Sequence, residues 1–131
     1  MALLVPNVGE VRLLEWAINA ETQQNLTLEL YTNDETPDED SEADDFTACG
    51  TAGYSAMTLT KGLFTVGTVG GTTSATYAQQ TITFTASGTS IKGYFVVDAN
   101  DDTLIWAEKF AAAEPAYSGK KLYITPVITL A

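Results

Sequence analysis

The chain has 131 residues, 45% of them hydrophobic, with a formal net charge of −11, one cysteine and no histidine. That length fits one domain (1-131) and can hide roughly two thirds of the unfolded chain's surface, so a core needs neither metal nor disulfides. The acidic balance argues against nucleic acid and anionic membrane surfaces as partners, because Lys and Arg supply affinity for both, and Cys49 alone cannot form an intramolecular disulfide.

The opening Met1-Ala2-Leu3-Leu4-Val5-Pro6 lacks a basic start, and its apolar run is too short for a signal peptide. Leu3, Leu4, Val5 and Pro6 form a candidate docking arm for a neighbouring protein; the alternative is a first strand or a lid on the chain's own core. A helix is predicted from about Val8 to Asn19. Asn7 is placed to cap it with Glu10 three residues on, and Val8, Val11, Leu14 and Ile18 recur at helical steps beside Leu13 and Ala17. Arg12 and Glu15 fall elsewhere on the wheel.

The period then changes to two. Leu26, Leu28 and Leu30 alternate with Thr27, Glu29 and Tyr31, which predicts a strand with one apolar face. Residues 34–45 carry eight acids and no base, leaving nine acids against six bases elsewhere. This charge density predicts a solvated loop over about 33–53. Tyr54–Thr60 and Leu63–Val66 read as two short strands, and Gly67–Ser74 as a Gly/Ser/Thr loop. Tyr77–Thr85 and Ile91–Val97 read as strands, Asn100-Asp101-Asp102 as a hairpin turn, Thr103–Phe110 as the returning strand and Ala111–Gly119 as a connection. Leu122, Ile124, Pro126, Ile128 and Leu130 alternate to the end, with Pro126 marking an edge or a bulge. The expectation is a mainly β fold: an antiparallel β-sandwich or jelly-roll-like barrel of about seven to eight strands with one N-terminal α-helix.

Chemistry-bearing sets are hard to assemble. Without histidine there is no Ser-His-Asp or Cys-His arrangement, and one Cys cannot build the usual zinc site. Gly67, Gly70 and Gly71 lack the Lys and following helix of a phosphate loop. Asp38, Asp40 and Glu42, and Asp98, Asn100 and Asp102, alternate like calcium ligands. Both depart from an EF-hand loop, with Ala43 and Thr103 where glycine belongs and Cys49 and Lys109 where the last acid belongs. The expectation is therefore no catalytic residue, no metal and no cofactor. Trp16 and Trp106 sit in apolar patterns that suit a core better than a sugar-stacking pair. Tyr31, Tyr94 and Tyr123 fall opposite the aliphatic faces of their strands and are candidates for an outer aromatic patch at an interface.

The whole chain also resembles small virion proteins of tailed bacteriophages. The resemblance lies in Leu4-Val5-Pro6-Asn7-Val8-Gly9-Glu10, in Asn25-Leu26-Thr27-Leu28-Glu29-Leu30-Tyr31, and in Asn33 followed by Thr36-Pro37. It continues through Gly53-Tyr54, Thr58-Leu59-Thr60, Tyr77-Ala78-Gln79-Gln80, Gly93-Tyr94-Phe95-Val96, Trp106-Ala107-Glu108-Lys109-Phe110, Ile124-Thr125-Pro126 and Thr129-Leu130. It implies a non-enzymatic particle component located in the virion, with capsid decoration (cement) as the first reading. The partners so implied are the major capsid protein or other virion proteins, and further copies of the chain, a homotrimer first. A tail or adhesin component binding host-surface glycans is the alternative.

Overall fold

The computed structural model describes residues 2–18, 20–50 and 53–130. Strand β1 (Ala2–Leu4) leads into helix α1 (Asn7–Ala17), and β2 (Leu26–Tyr31) precedes the acidic loop. Strands β3 (Met57–Leu59), β4 (Thr65–Val69), β5 (Thr72–Thr76) and β6 (Gln80–Thr83) follow. Two long strands, β7 (Gly88–Asp98) and β8 (Leu104–Ala116), form the central hairpin, and β9 (Lys121–Ile124) and β10 (Val127–Leu130) close the chain. All pairings are antiparallel, in sheets ordered β1-β8-β7-β2-β3, β10-β5-β4 and β6-β9. The architecture is mainly β with one N-terminal helix and is consistent with a β-sandwich.

The strands exceed the expected number for local reasons. Gly67–Ser74 is a hairpin, not a loop: Gly70 and Gly71 take φ of 58° and 83°, the left-handed pair of a two-residue type I′ turn. The final alternating run is two strands, because Pro126 has no backbone donor and its carbonyl instead accepts from Tyr77 N–H at 2.9 Å. Residues 111–116, expected as a connection, extend β8, and Glu114 and Ala116 pair with Ile91 and Gly88 across register shifts.

Register makes the five-stranded sheet two-sided. Leu28 faces Val96 and Leu30 faces Tyr94, with Trp106 opposite Val96, so one face carries these side chains. Ile82, Leu122 and Ile124 of the β6–β9 ribbon join them in the main core with Tyr77 and Phe84. Each such buried aliphatic stabilises the fold by about 1.5–3 kcal/mol. The opposite face carries Tyr31, Phe95, Val97, Leu104 and Ala107, under Phe46 of the acidic loop. Phe46 stacks on Phe95 with centroids 5.3 Å apart and meets Tyr31 edge-on at 4.9 Å. Tyr31 also lies across Gly93, where a Cβ would collide with its ring.

The acidic loop is therefore packed down, against the expectation of a solvated segment. Its acids other than the half-buried Glu35 are exposed, while Pro37, Ser41, Phe46 and Cys49 are buried. Asn33 Nδ2 donates to the Asp45 carbonyl and Thr47 N–H donates to Asn33 Oδ1, both at 2.8 Å. Cys49 N–H donates to the Leu30 carbonyl at 2.8 Å, and Lys109 Nζ reaches Asp34 and Thr36 at 2.9 and 2.8 Å. Of the expected loop over 33–53, Thr51 and Ala52 lie outside the described residues.

Helix α1 turns a different face inward from the one its periodicity predicts. Gly9 is buried and Val8, Arg12, Leu13 and Trp16 are half-buried, whereas Val11, Leu14 and Ile18 face solvent. Gly9 sets this arrangement: a Cβ there would overlap the Ile105 carbonyl of β8. Pro6, not Asn7, is the N-cap residue, and Asn7 is the first helical residue. The predicted end at Asn19 lies outside the described residues. Gly9→Ala is expected to cost about 1–3 kcal/mol, as overpacking does, in urea titrations followed by circular dichroism. Gly67→Ala, where a Cβ meets open space, should change stability by no more than about 0.5 kcal/mol.

Candidate functional site

The helix is fastened by charge as well as packing. The Arg12 guanidinium pairs with the Asp98 carboxylate, which is 1% exposed at the end of β7, and with Asp101 at 2.8 Å and Glu15 at 3.1 Å. Its Nη2 also donates to Thr103 Oγ1 at 3.3 Å. Asp98 Oδ1 accepts from Asn100 N–H at 2.9 Å, so the carboxylate both shapes the β7–β8 turn and holds the helix. Asp102 completes that turn at φ 59°. The Arg12 hydrogen bond, aided by Thr103, holds Asp101 down to about 2. The carboxylates of Asp98 and Asp101 are thus engaged in structure.

The sequence-derived candidates are dispersed. Leu4 pairs with Ala107 as part of β1, Val5 packs on the main core and Pro6 is buried, so residues 4–6 are built into the chain's own fold. Leu3 sits at the register position opposite Glu108. The aromatic patch does not form: Tyr31 and Tyr94 are buried because both faces of their sheet are covered, and only Tyr123 of the three is exposed. Tyr94 OH donates to Glu108 Oε2 at 2.7 Å and accepts from Trp106 Nε1 at 3.4 Å. Burial pushes the hydroxyls of Tyr31 and Tyr54 up to about 12. Trp106 is a core residue and Trp16 packs against the core from α1. Cys49 is buried.

The acidic alternations are also occupied by local bonds. Asp38 Oδ1 accepts from Asp40 N–H and Ser41 Oγ at 3.0 and 3.1 Å. Among the described residues no group of three or more His, Cys, Asp or Glu side chains converges as a metal ion requires, and no helix is long and apolar enough to cross a membrane.

The surface also carries two sets of exposed apolar side chains. Val11, Leu14 and Ile18 are 56%, 65% and 76% exposed and form one ridge on the outside of α1. Helical geometry sets Glu10 and Glu15 on either side of that ridge. A second exposed apolar set, Leu63, Val66 and Val69, belongs to the approach to β4 and to β4 itself. The i, i+3, i+7 spacing of the ridge was legible, but its outward direction follows from Gly9 and Arg12. Comparison of the chain with protein-family models, curated proteins and solved structures finds no match.

Replacing Arg12 by Met leaves the buried Asp98 unpaired, and a loss of about 3–5 kcal/mol is expected in urea unfolding. Asp101 has a folded pKa below its ordinary 3.8, so its share of stability is present above that value and is lost as pH falls toward about 2. The slope of stability against pH in this window should flatten in Arg12→Met.

Proposed function

We propose that this chain is a non-enzymatic structural protein of a tailed-phage particle, a decoration protein docked on the major capsid protein of the outer shell. The particle comes from the resemblance to phage virion proteins. The observation that carries docking is the solvent-facing ridge Val11, Leu14 and Ile18 on a helix whose other face is already committed to the core. Exposed apolar rows with polar rims are characteristic of protein-binding surfaces. The rim here is Glu10 and Glu15, so the matching surface on the shell is apolar with Lys or Arg around it.

A second reading, a tail or adhesin component binding host-surface glycans, draws on a groove of about 360 Å³ lined by Glu108, Phe110, Thr125 and Thr129 beside the exposed Tyr123. An aromatic face next to hydrogen-bonding groups suits a sugar ring.

Electron microscopy of purified particles separates the two: regular copies across the shell support decoration, and copies confined to the tail support the glycan reading. Leu14→Glu should abolish shell binding while leaving the thermal transition within a few degrees of wild type, since Leu14 is solvent-exposed. Undiminished binding by this variant would remove α1 as the docking face.

A further inference from the structure

The sheet β10-β5-β4 differs from the rest of the molecule in two ways. Its strands contain no ionisable side chain, and residues 62–91, which include β4 and β5, carry no charge at all in a chain of net charge −11. Strand β4 is also an edge, exposed along its whole length, with Val66 and Val69 at 68% and 85% exposure.

Edge strands are usually blunted by charge, proline, bulges or shortness. The other edges are shorter or carry such a device: β1 and β3 have three residues each, β6 has four with Ile82 buried, β9 carries Lys121, and β10 is entered through Pro126. Thr65-Val66-Gly67-Thr68-Val69 has none of them and is rich in β-branched residues.

The turn geometry gives the direction of the free backbone groups. Val69 and Thr72 flank the two-residue turn and close it as a hydrogen-bonded pair. Alternation along an antiparallel ladder then makes Gly67–Ser74 and Thr65–Thr76 the next such pairs. Val66 and Thr68 are left with N–H and C=O groups pointing away from β5.

We infer that β4 pairs antiparallel with β4 of a second copy of this chain, about a twofold axis at Gly67. In that register Val66 lies opposite Thr68 of the other copy, and both exchange N–H···O bonds. Gly67, whose added Cβ would meet open space, leaves room on the axis. The occupant is a second copy because two strongly acidic chains repel wherever their charged surfaces meet, and this edge is where they approach without that repulsion. A partner chosen by charge finds nothing on it to match. The contact is isologous and closes in pairs, unlike the threefold arrangement implied by the resemblance.

This inference goes beyond docking on a shell and is tested without particles, so the two fail separately. Sedimentation equilibrium of the full chain should show a dimer that dissociates on dilution. Thr68→Pro deletes an outward donor while keeping the ladder to β5, and Val66→Glu adds a like charge while keeping every donor. Each should weaken dimerisation at least ~tenfold with an unchanged core transition. A wild-type chain still monomeric at ~100 µM, where a weak specific contact is already populated, overturns the inference. So does an odd-numbered oligomer, or a dimer that survives either folded variant.

Discussion

The contact between Arg12 and the buried Asp98 decides more of this molecule than any single apolar pair. A carboxylate withdrawn from water needs a cation and hydrogen bonds to remain charged. Here the backbone of its own turn and the guanidinium of a helix distant in sequence supply both. Satisfying Asp98 brings α1 to the tip of the β7–β8 hairpin, and Gly9 lets the helix approach until only a hydrogen fits between it and the Ile105 carbonyl. With Arg12 and Gly9 turned inward, Val11, Leu14 and Ile18 have nowhere to go but outward. The exposed ridge is a by-product of how the helix is tied.

A second constraint is that the central sheet is covered on both faces by unlike material. One face is closed by a β-ribbon, as in any sandwich. The other is closed by the most charged segment of the chain, which contributes Phe46 and Pro37 beneath a surface of carboxylates. Eight acids and a well-packed underside coexist because the loop is short of freedom: Asn33, Ser41 and Lys109 each pin part of it. The result is an acidic cap over aromatic packing, which concentrates the field of the molecule on one side.

Much of the fold was legible where period and turn chemistry agreed. Leu26, Leu28 and Leu30 mark β2 without ambiguity, and Asn100-Asp101-Asp102 marks the central hairpin. Legibility failed where tertiary contacts overrode local pattern. The helix has two candidate apolar faces, and only a glycine and an arginine, neither of them apolar, select between them. Tyr31 alternates correctly for the second face, but no local signal says that this face is itself roofed, and Tyr94 lies on the main-core face because the register shifts between Ile91 and Gly93. Gly67–Ser74 has loop composition, yet Gly70-Gly71 is also a two-residue turn, and the flanking valines and threonines prefer a pleated strand. The exposed ridge was visible as a spacing and hidden as a direction.

Ile128 of β10 packs on the main core, and the chain enters and leaves the three-stranded sheet at three points. Its chain passages are Phe64, Tyr77 and Pro126, and these are tied to one another: Tyr77 donates to the Pro126 carbonyl, while Phe64 packs against both Tyr77 and Trp106. In mechanical terms the sheet is a lever with its fulcrum set in the aromatic core. A pull on β10 passes along the backbone through Thr125 into β9 and is resisted there in shear, across the ladder to β6. A load on this sheet therefore reaches the core through all three passages, and the one entering at β9 is carried by four residue pairs of β-ribbon.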